Sequence, residues 1–341
     1  MSSMPMVPRP GVYELYWQFA SKRQAVFERR AAGLPSPWTD DEIIRTFKFC
    51  NVFRAADRVS QYLIGSVIYD GNPADACDVL FRIVAFRIFS NIETWKGLKE
   101  RLARQPLVED LWSGAFLAAL ESVKKEMGGL YTGAFILCAT NAFGHTQKHL
   151  NHVALLQLMF RDQALPRAIN DAPDLAHVFT ALKSYPLMGD FMAYQVAIDV
   201  NYSELTGFSE SSFVQPGPGA LRGIKKVFTS AGGLTPGDAI MWMVDHQDEE
   251  FARLRLPFNG LFGRPLQAID CQGLFCEVDK YCREAVPELK SARSRIKQRF
   301  SPDLNPLNLF FPPKWGLNDF LPSLRAQEAA SERSESQFSL I

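Results

Sequence analysis

The residues best suited to acid–base chemistry lie in one polar run in the last third of the chain. Glu277, Asp279 and Lys280 follow Asp270 within residues 268–281. If this run is helical, Glu277 and Lys280 share a face, because residues three apart are neighbours on a helix. Carboxylates beside a lysine can exchange protons with a substrate or hold a divalent ion. Glu277, Asp279 and Lys280 are therefore the candidate catalytic residues; helix salt bridges without a catalytic role are the alternative.

A second polar group lies on a segment that the apolar spacing predicts to be one helix from Ile43 to about Tyr69. The residues opposite its apolar stripe include Asn51, Arg54, Arg58 and Gln61. Arginines one turn apart, flanked by amides, could bind a phosphate or a base edge. The alternative is a solvated face on which Asp57 pairs with either arginine.

A break between two helices is predicted at Pro186 and Gly189. Proline lacks the N–H that continues a helix and glycine accepts positive φ, so a second helix should begin near Asp190. The main-chain N–H groups at its N-terminus could bind a DNA phosphate. The pattern aromatic-Pro-Leu-x-Gly-x-x-x-Ala resembles the helix-hairpin-helix of DNA glycosylases, which makes Gly189 a candidate DNA contact. An ordinary helix pair is the alternative.

A glycine-rich run supplies further candidate phosphate ligands. They are Gly217, Gly219, Arg222 and Lys225. The run lacks the hydroxyl residue of a nucleotide-binding P-loop and follows no predicted strand, so no P-loop kinase motif is found in this sequence. Asp238 lies nineteen residues after Gly219, near the spacing of a glycosylase's catalytic aspartate from its hairpin glycine. If Gly189 is the hairpin glycine instead, the region where that aspartate would fall contains no acidic residue except Glu210. Simple base excision is therefore doubtful.

Three histidines accompany Lys148. His145, His149 and His152 stand at i, i+4 and i+7, which would place them on one helical face. Such a face could bind a metal, could present a basic surface to a substrate with Lys148 contributing, or could be a plain surface stripe. All three interpretations remain open from the sequence.

The apolar spacing predicts that these candidate residues lie in a helical fold. Patterns with a 3.6-residue period recur from Tyr13 to Phe300 and no run alternates with period two, so we expect an all-α, multi-helix fold. The chain has 37 basic and 37 acidic residues, so polyanion binding requires local basic patches. No apolar run is long enough to span a membrane and the start lacks a hydrophobic signal core, so we expect an intracellular protein without a membrane partner.

Longer blocks resemble a known family. Residues 47–64 (FKFCNVFRAADRVSQYLI), 217–223 (GPGALRG) and 268–281 (AIDCQGLFCEVDKY) are similar to the helical domain associated with 5-hydroxymethyl-deoxyuridine DNA kinases. That family is allied to the α-glutamyl/putrescinyl-thymine pyrophosphorylases of DNA base hypermodification. The resemblance covers about residues 12–285. It implies DNA as a partner and a DNA-glycosylase-like helical fold.

The resemblance leads to three functional hypotheses. The first is an enzyme that acts on 5-hydroxymethyluracil or its phosphorylated ester in DNA, by transfer or displacement at the 5-methylene group. The second is a non-catalytic DNA-binding module that presents this base to a separate kinase, and the third is a base-excision glycosylase. The expected regions are a flexible N-terminus (1–11), an N-terminal helical region (12–165), a glycosylase-like helix-hairpin-helix region (166–300), a Pro-rich extension (301–326) and a disordered tail (327–341).

Overall fold

The structure, a computed structural model, describes residues 6–70, 75–133, 138–139, 141–289, 295–296 and 298–321. These residues are mostly helical, which confirms the expected all-α fold. A two-stranded antiparallel ribbon joins Val7–Pro8 (β1) to Phe228–Ser230 (β2). The expected tail at 327–341 lies outside the described residues, and no described helix has both the length and the apolar character of a membrane span.

The α-helices follow one another in chain order as α1 Val12–Ala31, α2 Glu42–Thr46, α3 Arg58–Leu63, α4 Ala76–Phe89, α5 Ile92–Leu102, α6 Glu109–Ser113, α7 Ala115–Met127, α8 Lys148–Phe160, α9 Ala164–Asn170, α10 Leu175–Lys183, α11 Asp190–Asn201, α12 Pro218–Val227, α13 Pro236–Asp245, α14 Gln247–Arg253 and α15 Ala268–Ala285. Short 3-10 turns span Arg54–Ala56, Arg161–Gln163, Pro313–Trp315 and Asn318–Phe320, and a π-turn spans Ile64–Ile68.

Contacts between Cα atoms divide the chain into two compact units. The discontinuous unit combines Met1–Asp57 with Pro216–Ile341, and the continuous unit is Arg58–Gln215. Segments far apart in the chain therefore share one core in the discontinuous unit.

Helix α15 forms the centre of the discontinuous unit. Helices α1, α2, α12 and α13 all pack against it. Its apolar residues recur every three or four positions, and Cys271, Leu274, Phe275 and Val278 are almost fully buried. The helix begins with a capping box in which Asp270 accepts the main-chain N–H of Gln267. This buried helix carries the three candidate catalytic residues.

The chain between α2 and α3 is not one helix, so the predicted helix from Ile43 to Tyr69 is wrong. Helix α2 is capped by Asp41 and ends at Thr46. Lys48 then donates to the carbonyl of Gln298 (3.0 Å), and Phe300 donates to the carbonyl of Thr46 (2.9 Å). These bonds to a distant segment replace the helical ones. Arg54 and Arg58 consequently do not share a helix.

In the continuous unit, α4 packs against α11 through a buried ion pair. Arg87 Nε lies 2.5 Å from Asp199 Oδ2, and its Nη2 donates to Oδ1 at 3.0 Å. Helix α10 also packs against α11. The predicted break between these two helices is confirmed. Its identity as a DNA-binding helix-hairpin-helix stays a prediction.

Candidate nucleic-acid-binding site

Glu277 and Lys280 form a pair on α15, as their spacing predicts. Their side chains lie 2.6 Å apart and are 10% and 21% exposed, respectively. Glu277 Oε2 also accepts the main-chain N–H of Cys50 (3.0 Å), and Lys280 Nζ lies 4.5 Å from the centre of the Phe49 ring. The carboxylate and the ring hold the ammonium group at the edge of the core, where a ligand could still reach it.

Asp279 is a buried counter-ion. Its carboxylate lies 3.1 Å from Arg222 Nε, 3.1 Å from Lys226 Nζ and 2.8 Å from Arg283 Nη2, and the residue is fully buried. Burial alone would raise the pKa of Asp279, but the hydrogen bond from Arg283 and the charge of Lys226 outweigh it and hold the pKa below its usual value. A carboxyl group in this state is ionised at neutral pH and closed to solvent.

The partners of Asp279 leave a local surplus of positive charge. Three cations surround one carboxylate, so two positive charges remain unbalanced within this group. The Arg222 side chain is 27% exposed, and Lys225 on the same helix is exposed. We call Arg222, Lys225, Lys226 and Arg283 the basic face. Lys226 is buried, so Arg222 and Lys225 are the candidate contacts of this face for a polyanion.

The glycines of α12 have a packing role. A Cβ atom on Gly219 would lie 2.3 Å from Cys276 Sγ, and Gly223 also touches α15. Gly217 is the N-cap of α12 and Pro218 occupies the first turn. The close approach of α12 and α15 brings Arg222 and Lys226 to Asp279, and this contact could not be read from the glycine spacing.

Asn51 organises the turn before α3 through its side-chain amide. Its Nδ2 donates to the carbonyl of Ala56 (2.7 Å), and its Oδ1 accepts from Arg23 Nη2 (2.6 Å). The main-chain N–H of Asn51 donates to Asp57 Oδ1 (2.8 Å). Burial raises the pKa of Asp57 to about 6, although the Asn51 hydrogen bond and the Arg23 charge oppose the shift. Asn51 is therefore part of an internal hydrogen-bonded network.

The other polar residues of this segment are divided between the two units. The main-chain N–H of Arg54 donates to Asp270 Oδ1 (2.8 Å), which ties the Arg54–Ala56 turn to the start of α15. Arg58 and Gln61 lie on α3 in the continuous unit, where Arg58 is exposed. Asn51 and Arg54 therefore belong to the same unit as α15, whereas Arg58 and Gln61 do not.

An aromatic cleft in the discontinuous unit was not foreseen from the sequence. It has a volume of about 80 Å³, several times the space that one ordered water needs. Its walls include Trp38, Phe47, Phe49, Phe300, Arg23 and Arg45. These residues come from four separate parts of the chain. The sequence shows several aromatic residues close together around position 47. It does not show that their rings surround a cleft.

The ring walls of this aromatic cleft are held in place from behind. Phe49 packs against Phe19 and Tyr281, with ring centres 5.2 and 6.0 Å away. Trp38 Nε1 donates to the carbonyl of Leu34 (2.7 Å). These contacts fix the positions of Phe49 and Trp38 in the wall of the cleft.

Gly189 has a negative φ, so the expectation that this glycine supplies a positive φ is wrong. It is the N-cap of α11 with φ −68° and ψ 167°, and no atom lies within 4 Å of where its Cβ would be. The positive φ of this turn belongs to Leu187 (65°). Asp190, in the first turn of α11, pairs with Lys183 (2.6 Å), so a carboxylate already lies at this helix terminus.

The histidines do not form one helical face, because α8 begins only at Lys148 and His145 precedes it. His149 and His152 are buried rather than exposed. His152 contacts the Tyr131 hydroxyl (2.9 Å) and a main-chain carbonyl, and burial lowers its pKa to about 4. Lys148 Nζ lies 4.3 Å from the centre of the Tyr131 ring. This group is part of the core of the continuous unit.

The acids of α15 do not fit a metal site. Asp279 is occupied by three cations and Glu277 by Lys280 and a main-chain N–H. Within the described part of the chain, no group of three or more His, Cys, Asp and Glu side chains is arranged to hold a metal ion. Asp238 has a local role, since it completes the capping box of α13 with Thr235.

Comparison with known proteins matches most of the chain to one family. The family described as "5-hmdU DNA kinase, helical domain" matches residues 10–291. A curated relative, the 5-hmdU DNA kinase of Bacillus phage SP10, is 26% identical over 289 residues, covering 79% of this chain and 45% of that relative. The chain therefore spans less than half the length of this relative. No solved structure matches at a significant level.

Proposed function

The chain belongs to the family of 5-hmdU DNA kinase helical domains, and from this premise we propose that it binds DNA carrying 5-hydroxymethyluracil and takes part in the modification of that base. The sequence has no P-loop motif. We therefore assign phosphoryl transfer to a nucleotide-binding kinase outside this sequence. The helical chain would bind the DNA and present the base.

The observation that carries this proposal is the basic face. Asp279 holds Arg222 in a defined position, and Arg222 and Lys225 reach solvent. Fixed cations bind phosphates at a low entropic cost, and each phosphate contact releases counterions from DNA. Phosphate contacts position a protein on DNA without reading its sequence. This is the property expected of a module that presents a base.

The test is the salt dependence of DNA binding, measured by fluorescence anisotropy with a duplex that contains 5-hydroxymethyluracil. Each lost phosphate contact should reduce the slope of log affinity against log salt concentration by about 0.9. We expect this reduction for Lys225→Gln and for Arg222→Gln. The matched control is Lys125→Gln, which removes the same charge from an exposed position on α7.

Equal slopes in the wild-type protein, Lys225→Gln and Lys125→Gln would contradict the role of the basic face. A wild-type protein with no affinity for this duplex would contradict DNA binding itself. A thymine duplex of the same sequence, measured in parallel, reports whether the 5-hydroxymethyl group contributes to the affinity.

A second candidate function is catalysis at the 5-methylene group, and it is favoured by the Glu277–Lys280 pair. An amine nucleophile would bond to the methylene carbon of the phosphorylated ester as the carbon–oxygen bond to phosphate breaks. Glu277 would accept the proton of the amine, and Lys280 would balance the charge of the departing phosphate. The Lys280 side chain is partly exposed beside Phe49, and Glu277 is buried behind it. Asp279 is closed to solvent and suits a supporting role.

Mass spectrometry of nucleosides distinguishes this candidate from base presentation. DNA carrying the phosphorylated base would be incubated with the chain and an amine, then digested and analysed. Glu277→Gln should abolish the aminated nucleoside while DNA affinity stays unchanged. Absence of this product with the wild-type chain, or an equal yield with Glu277→Gln, would reject the catalytic role of Glu277.

A further inference from the structure

We propose that the aromatic cleft takes one unstacked pyrimidine base of DNA. This inference rests on the proposed function and extends it, because it assigns a base-binding subsite where the proposed function uses only phosphate contacts. The occupant is a base in its single-stranded or flipped-out state, since a stacked base pair hides its ring faces.

The ring walls favour a flat occupant. Phe47, Phe49, Trp38 and Phe300 all line the cleft. Proteins that bind unstacked bases place them against aromatic side chains, because each base offers a π-face. Phe47 and Phe300 are partly exposed and so accessible to a ligand, whereas Phe49 and Trp38 are buried behind the cleft surface.

The polar atoms of the cleft favour an occupant rich in acceptors. Arg23 and Arg45 line it, and its described lining contains no carboxylate. Arg23 Nη1 is buried and has no hydrogen-bond partner among the described residues, while Nη2 is held by Asn51 (2.6 Å). Arg45 is exposed at the cleft, and its guanidinium offers donors that a ligand carbonyl can accept. Pyrimidine bases present such oxygens at positions 2 and 4.

The cleft also adjoins the residues that anchor the basic face. Phe49 lines the cleft and contacts Lys280 (4.5 Å), and Lys280 follows Asp279 directly on α15. Helix α15 therefore carries the counter-ion of the basic face and also contacts Phe49 in the wall of the cleft. The hydroxyl groups of Ser36 and Thr39, which also line the cleft, are suitable partners for a 5-hydroxymethyl substituent.

The experiment uses the full chain and a duplex in which one 5-hydroxymethyluracil stands next to 2-aminopurine. Emission of 2-aminopurine rises when its neighbour leaves the stack, and anisotropy gives the affinity in the same sample. We expect the emission to rise with the wild-type chain. Phe47→Ala should abolish the rise and weaken binding about 5- to 150-fold, the loss typical of one base–aromatic stack.

Two further variants keep the test independent of the stability of Phe47→Ala. Ser36→Trp changes an exposed residue and would fill the cleft from its rim, so it should also abolish the rise in emission. Phe320→Ala removes a phenylalanine that is 58% exposed and outside the cleft lining, and it should behave like the wild type.

The outcomes separate the two proposals. Tight DNA binding without a rise in emission, or an undiminished rise in Ser36→Trp, would overturn the base-binding cleft and leave the proposed DNA binding in place. Failure of the wild-type chain to bind any of these duplexes would overturn the proposed function and the cleft together.

Discussion

Gly223 on α12 lies directly against the main-chain oxygen of Phe275 on α15. A Cβ atom at residue 223 would stand 1.9 Å from that oxygen, far inside van der Waals contact. Only glycine allows this approach. The consequence extends to the candidate site, because the same contact brings Arg222 and Lys226 within reach of Asp279.

The first prediction concerns this contact. Gly223→Ala should lower the free energy of unfolding by about 1–3 kcal/mol, because the backbones of α12 and α15 must move apart. Gly273→Ala is the matched control: its Cβ would meet no atom within 4 Å, so it should stabilise the helix by about 0.5–1 kcal/mol. Urea unfolding followed by circular dichroism measures both. Equal stability of the two variants would show that the close approach is not required.

The second prediction distinguishes the structural role of Asp279 from a purely catalytic one. Asp279→Asn leaves Arg222, Lys226 and Arg283 around a neutral group, and the loss of a buried partner should cost about 3–5 kcal/mol. Asp40→Asn, at an exposed position, should change stability by less than about 0.5 kcal/mol. A melting temperature of Asp279→Asn equal to that of the wild type would refute the counter-ion role.

A third prediction follows from the pKa of Asp57, which burial raises from 3.8 to about 6. The folded protein then binds a proton more tightly than the unfolded chain. The contribution of Asp57 to stability is complete below about pH 4 and is lost as the pH rises through about 6. Relative to Asp57→Asn, the wild type should therefore gain roughly 2–3 kcal/mol as the pH falls from 7 to 4.

Asparagine can keep the hydrogen bond from Asn51, so this comparison isolates the charge of residue 57. Unfolding curves of both proteins at several pH values provide the measurement. A stability difference that does not vary with pH would mean that the Asp57 carboxyl group has an ordinary pKa.

The fourth prediction concerns Gly189. Its negative φ and the open space around it should allow Gly189→Ala with a loss of no more than about 1 kcal/mol, the usual difference between these residues at an N-cap. DNA affinity of this folded variant then tests the predicted helix-hairpin-helix. A lower affinity at nearly unchanged stability would support a phosphate contact at the start of α11, and an unchanged affinity would count against it.

Sequence patterns were enough to predict the features that depend on neighbours in the chain. The break between α10 and α11 near Pro186 and Gly189, with the second helix beginning at Asp190, was predicted correctly. The pairing of Glu277 with Lys280 was predictable for the same reason, since three residues separate them on one helix. The blocks around positions 47, 217 and 268 were sufficient to identify the family.

Which distant residues meet depends on long-range packing and could not be predicted. Residues 46–48 leave the helical pattern because their main chain pairs with residues 298–300, a choice that no local propensity reveals. Asp279 becomes a buried counter-ion because α12 packs against α15, and the aromatic cleft exists because Arg23, Phe47 and Phe300 converge. Periodicity reports which face of a helix is buried, whereas the partner of that face depends on long-range packing.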